Sequence, residues 1–153
     1  MGLKSKLSVQ LEVKTKHDVF LDVFWKTPNQ CSTMSPVQVQ GAELLEGDHF
    51  GAVGSKVCWK YTHDGKEKIS KQIIEAIDEE KKILTLKEFE GDILNEYENV
   101  KYTLHVDAEG EKHLACWTIE YERPKENTPE LTSLLQFLID MIKAIDDHHI
   151  KQN

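Results

Sequence analysis

Positive charge is in short supply in this chain. Lysine and arginine number 19 against 27 acidic residues, a formal net charge of −8. Without a positive field the chain has little attraction for phosphate backbones or anionic headgroups, so nucleic acid and acidic membrane surfaces are excluded as partners. Cysteine is scarce too: Cys31, Cys58 and Cys116 leave at least one thiol unpaired and have no metal-ligand spacing. A reduced, cytoplasmic protein with no metal and no cofactor is expected. The opening residues, Met1 to Lys6, lack the apolar run of a signal peptide. Gly2 does not complete a myristoylation motif, because Lys6 stands where that motif needs Ser or Thr. No Pro/Gly/Ser-rich linker interrupts the 153 residues, so one domain spanning 1–153 is expected. A chain of this length buries roughly 70% of its unfolded surface, enough for one core. Catalytic signatures are missing as well. There is no Gly-x-Ser-x-Gly elbow, and Gly54-Ser55-Lys56 places Lys after Ser, the reverse of a phosphate-binding loop.

What is present is strand-type alternation. Leu7, Val9, Leu11 and Val13 share one face, with Ser8, Gln10, Glu12 and Lys14 on the other. A short helical segment follows, with Asp18 near its start, Val19, Phe20, Val23 and Phe24 on one side, and Pro28 as its stop. Asn29 to Ser35 reads as a second short helix or turn. From Val37 to Arg123 strands alternate with turn chemistry: Asp64-Gly65 suits a tight hairpin, and 78–81 and 107–110 mark further reversals. The period then changes. Thr128 as cap, Pro129 at the first position and Glu130 beside the positive end predict a helix start. Leu131, Leu134, Leu135, Leu138, Met141, Ile142 and Ile145 recur at helical spacing. The fold class is therefore α+β, an antiparallel sheet covered by one long C-terminal helix.

Parity assigns the inner face. One strand gives Val53, Ser55, Val57, Trp59 and Tyr61; another gives Val100, Tyr102, Leu104 and Val106; a third gives His113, Ala115, Trp117, Ile119 and Tyr121. One face is apolar and aromatic, the other mostly solvated. A single helix over so broad a face leaves two alternatives, an ordinary aromatic core or a partly unfilled ligand cavity.

Several segments resemble the plant major latex protein family, within the birch pollen allergen and START-like superfamily. They are Met34-Ser35-Pro36, the stretch from Gln40 to Asp48, Gly51 to Ser55, Trp59 to Lys66, Glu90-Gly91-Asp92, Trp117 to Glu122, and Leu135-Gln136-Phe137. The resemblance runs nearly end to end. It implies a helix-grip fold: a seven-stranded curved antiparallel sheet around the C-terminal helix, with two short helices after the first strand. It also implies an internal cavity for a small hydrophobic plant metabolite such as a terpenoid, sterol, hormone or lipid, with roles in plant defence and specialised metabolism. Trp59, Tyr61, Leu84, Leu86, Tyr102, Leu104, Trp117, Phe137 and Met141 are the expected lining. A monomer is expected, without membrane insertion.

Two departures from the family pattern stand out. His49-Phe50 occupies a place where one aromatic is usual, which lengthens the glycine-rich loop near the expected cavity mouth. Glu88 stands where an aliphatic is usual, on the parity of Leu84 and Leu86. Either it faces an apolar interior with a raised pKa, or a bulge or a solvated strand end beside Gly91 releases it. An alternative function follows from the superfamily, a cofactor-free cyclase or isomerase acting on a reactive terpenoid (iridoid-like) or alkaloid intermediate. Its candidate acid–base groups are Glu88, Tyr102 and His113. His113 sits beside a turn, where a solvated edge residue is expected. His105 falls on the outward parity, and His148-His149 lie at the helix end on different faces, unsuited to joint metal binding.

Overall fold

The alternating segments become seven antiparallel strands in the computed structural model, which describes residues 2–152. In chain order they are β1 (Leu3–Val13), β2 (Val39–Glu46), β3 (Lys56–His63), β4 (Lys66–Asp78), β5 (Ile83–Gly91), β6 (Glu98–Glu109) and β7 (Lys112–Arg123). Three helices accompany them: α1 (His17–Trp25), α2 (Cys31–Met34) and α3 (Thr132–Gln152). Pro28 opens a short 3-10 turn, Pro28–Gln30, that leads directly into α2. The sheet order is β1-β7-β6-β5-β4-β3-β2, so the two short helices carry the chain from one edge of the sheet to the other.

Tight turns set the meander. Asp64 and Gly65 have φ of 53° and 75°, the pair of positive values a type I′ hairpin requires. The strand that holds Trp59 begins at Lys56, later than alternation suggested. Val53 is exposed in the preceding loop, and Ser55, though buried, donates its hydroxyl to the His49 carbonyl at 2.8 Å.

The long helix begins at Thr132, four residues after the expected cap. Tertiary bonds take precedence over the local cap pattern. Tyr97 Oη donates to the Pro129 carbonyl at 2.7 Å, and Arg123 Nε pairs with Glu130 at 3.2 Å. Tyr121 Oη donates to Glu130 and accepts the Leu131 N–H at 3.0 Å. Residues 128–130 thus fasten the approach to the helix onto β7 and onto Tyr97, just before β6, instead of capping it. Near its other end Asp146 accepts the backbone N–H groups of Lys14 and Thr15, at 3.1 and 2.8 Å, where β1 finishes. With 21 residues, α3 is about 30 Å long.

The core lies between the concave face of the sheet, α1 and α3. Phe20, Leu84, Leu104, Ile119, Ile142 and Ile145 are among its fully buried side chains. Each contributes roughly 1.5–3 kcal/mol relative to an exposed position. Leu114, on the outward parity of β7, is also buried, so alternation understates coverage there.

Candidate functional site

Beneath the middle of α3 the packing is incomplete. A void with about 510 Å³ of space between atoms, part of it open to solvent, separates the helix from the sheet. It is slender, with large side chains lining it closely on both sides. Leu134, Phe137, Leu138 and Met141 form the roof, while Trp59, Tyr61, Leu86, Tyr102 and Trp117 are among the floor residues. Phe24 from α1 closes one side, stacked edge-on against Trp117 at 5.1 Å and tilted against Trp59 at 6.2 Å between ring centroids. Tyr61 meets Phe137 edge-on at 5.5 Å, joining floor to roof.

Of the lining residues expected from the sequence, Trp59, Tyr61, Leu86, Tyr102, Trp117, Phe137 and Met141 border this space. Leu84 and Leu104 do not; both are fully buried among other core side chains. Sequence reasoning missed Ser70 and Gln72, the cavity's polar wall on β4. Their signal was available: they share strand parity with buried Ile74, which puts two polar side chains on the inner face.

Glu88 lies directly behind that wall. The β5 strand does carry an irregularity here: Lys71 opposes Glu90 while Gln72 opposes Glu88, which leaves Phe89 as the extra residue. The bulge turns Phe89 outward and does not free Glu88, which is only 3% exposed. Ser70 Oγ donates to Glu88 Oε1 at 2.6 Å, and Gln72 Nε2 donates to Ser70 Oγ at 3.0 Å. Glu88 Oε2 has no partner and lies so close to Gly91 that a Cβ there would clash with it. Gly91, at φ of 148°, is therefore required by space as well as by backbone conformation. Burial pushes the Glu88 carboxyl up to about 7, against the opposing pull of the Ser70 hydrogen bond. Burial likewise raises the phenols of Tyr61 and Tyr102, so both stay neutral.

The third acid–base candidate is elsewhere. His113 is half-buried at the start of β7, its Nδ1 2.9 Å from His17 Nδ1 and 3.3 Å from the His17 backbone N–H. Lys82 Nζ reaches His17 Nε2 at 3.1 Å and pairs with Asp18. His113 is thus a partnered group, not a solvated edge residue, and it does not line the cavity.

A second, smaller gap, about 240 Å³ of space between atoms with part of it open to solvent, lies under the glycine-rich loop, lined by Phe50 together with Trp25, Pro28, Val57 and Ile74. It shares Phe24, Trp59, Gln72 and Leu86 with the main cavity, so these side chains form the partition. Trp25 Nε1 donates to the Gly51 carbonyl at 2.8 Å and ties the loop down. All three thiols are pushed up by burial, Cys31 to about 12, which leaves them poor nucleophiles. Among the described residues, no three His, Cys, Asp or Glu side chains are placed to hold a metal, and no helix is long and apolar enough to cross a membrane.

A curved seven-stranded sheet closed by one C-terminal helix over an internal apolar void defines a helix-grip protein. The pathogenesis-related protein Bet v 1 family matches residues 2–152, and the chain belongs to that family. MLP-like protein 43 of Arabidopsis thaliana is 42% identical over 149 residues, 96% of this chain and 94% of that one. Ginseng major latex-like protein 151 from Panax ginseng superposes with a TM-score of 0.93 at 40% identity, covering 97% and 99% of the two chains. A norcoclaurine synthase point mutant from Thalictrum flavum, 18% identical with a TM-score of 0.78, shares the fold over 99% and 98% of the two chains. The family is generally one of ligand-binding proteins.

Proposed function

We propose that this protein binds a small hydrophobic plant metabolite in the cavity between the sheet and α3. The observation that carries this reading is the continuous apolar and aromatic void under the middle of α3, interrupted by a single polar wall. Apolar walls with a few placed polar groups hold and orient a ligand of modest size. The slenderness of the space favours a compact terpenoid over a sterol, and larger ligands require Phe137 or Met141 to move. Calorimetric titration with terpenoids, sterols and phytohormones tests the reading. A compact terpenoid is expected to bind at micromolar concentration or tighter, and no binding by any class would overturn it.

A second reading, a cofactor-free cyclase or isomerase for a reactive terpenoid or alkaloid intermediate, is favoured by one specific observation. A carboxyl poised near neutrality stands one hydroxyl away from the cavity, through Ser70. An apolar site beneath the helix also limits the water that reaches such an intermediate. The norcoclaurine synthase with this fold supports the reading by analogy of architecture alone. The discriminating measurement is product stereochemistry with and without protein. Identical product mixtures would remove the enzyme reading for that substrate.

A further inference from the structure

The hydrogen-bond chain Gln72–Ser70–Glu88 has a property that a purely apolar cavity lacks. Ser70 borders the void, and its Oγ receives the Gln72 amide hydrogen at 3.0 Å and faces Glu88 Oε1 at 2.6 Å. A serine hydroxyl has one hydrogen and two lone pairs, so the state of Glu88 decides what is left over for a ligand. When Glu88 is ionised, Ser70 must donate to it; with the Gln72 hydrogen on one lone pair, Ser70 presents the other to the cavity as an acceptor. A proton on Glu88 finds a partner if it sits on Oε1, where it donates to Ser70. Both Ser70 lone pairs are then used, and its own hydrogen turns to the cavity.

We propose that this chain makes the cavity a selector for the oxygen function of its ligand: an alcohol when Glu88 is ionised, a carbonyl when Glu88 is protonated. The inference rests on the ligand-binding reading and names the ligand class within it, apolar molecules carrying one oxygen at the Ser70 wall. Gln72 Oε1 is buried without a donor, a fixed bias towards the alcohol in both states. The titratable groups facing Glu88 are Tyr61 from β3 and Tyr102 from β6, with Asp92 beyond Tyr61. Both phenols stay neutral, and the roof residues of α3 are apolar. Glu88 is therefore the group at this wall that changes state near neutrality, its carboxyl standing at about 7.

The test is a matched set on one rigid carbon skeleton: the ketone camphor, the alcohol borneol and the hydrocarbon bornane. Each competes with anilinonaphthalene sulfonate for the wild-type protein at about pH 6 and about pH 8.5, either side of the Glu88 midpoint. None of the three titrates in this range, so any change in their ratio belongs to the protein. The expected result is a shift of about tenfold in the camphor-to-borneol Kd ratio, camphor favoured at the lower pH. Glu88→Gln should hold that ratio constant across the same range, since an amide does not ionise there. A wild-type ratio that stays constant while both bind overturns the inference and leaves the cavity reading standing, as does bornane binding as tightly as both oxygenated ligands. Failure of all three to bind overturns the inference together with the cavity reading.

Discussion

Two titratable clusters sit at opposite ends of β5, and they are buried on opposite terms. Near the end of the strand, Glu88 is a carboxyl whose network is incomplete: Ser70 serves one oxygen and nothing serves the other. At the start, beside Lys82, His17 of the pair His17–His113 has a partner at both ring nitrogens. Lys82 donates to His17 Nε2, His17 Nδ1–H donates to His113 Nδ1, and the His17 backbone N–H reaches the same acceptor. The cluster with the orphaned oxygen borders the cavity and the histidine pair does not, in keeping with polar groups kept poised where a ligand arrives.

The contrast has a sign that denaturation can read. Glu88 binds its proton more tightly folded than unfolded, at about 7 against 4.5. Between those values the native state holds more protons, so stability falls as pH rises through the window, by about 3 kcal/mol in all. Glu88→Gln removes that slope. The variant is expected to be about 3 kcal/mol more stable than wild type near pH 8.5 and close to it near pH 4.5. Urea midpoints across the range measure the difference, and parallel curves would show that Glu88 is not buried against its charge.

His17 works the other way. Burial holds its imidazole below 6.5, so the native state resists the proton and stability is lost as pH falls from 6.5 downward. His113→Phe takes away the acceptor of two hydrogens. A cost of about 1–2 kcal/mol at neutral pH is expected, the two partners being left partly unsatisfied. With His17 freed from its neighbour's ring, part of the acid sensitivity should go with it. Equal acid sensitivity in wild type and variant would separate His113 from the His17 titration.

These two clusters also mark where the sequence stops being legible. Parity read the strands because a sheet covered on one face writes burial into every second residue, and it set Glu88 on the side of Leu84 and Leu86 while a bulge or a solvated strand end stayed open as the alternative. Parity does not carry register between strands. That Gln72 opposes Glu88, with Phe89 bulged out, depends on cross-strand pairing that no local pattern encodes. The His17–His113 contact joins residues 96 apart, one on a helix and one on a strand. The helix start was misplaced for a related reason. Thr128-Pro129-Glu130 has every local mark of a cap, and Tyr97, Tyr121 and Arg123 claim it for another purpose.

A smaller perturbation sharpens the carboxyl side. Ser70→Ala deletes the hydroxyl that donates to Glu88 Oε1, at a cost of about 1 kcal/mol. That bond holds the carboxyl lower than burial alone would, so its loss moves the Glu88 midpoint above about 7. The descending limb of the stability profile should shift to higher pH while the His17 limb stays in place. A shift of both limbs would mean that the clusters are coupled along β5.

The smallest effect on stability is expected at Lys82, and it isolates charge from burial at the histidine end. Lys82 is about one-third exposed, as is Asp18, so their ion pair is screened and Lys82→Met should cost under about 1 kcal/mol. The consequence for His17 is larger than that figure suggests. The substitution removes a neighbouring positive charge that lowers the His17 pKa. It also frees Asp18, whose carboxylate already lies 3.4 Å from His17 Nε2, to pair with the imidazolium. Both changes favour the protonated ring, leaving burial and the neighbouring His113 as the opposing influences. The His17 midpoint, followed through its ring Hε1 resonance, should therefore rise in Lys82→Met, and the acid limb of the stability profile should become shallower. A midpoint that does not move would assign the depressed pKa to burial and His113 and leave Lys82 a surface charge with no part in it.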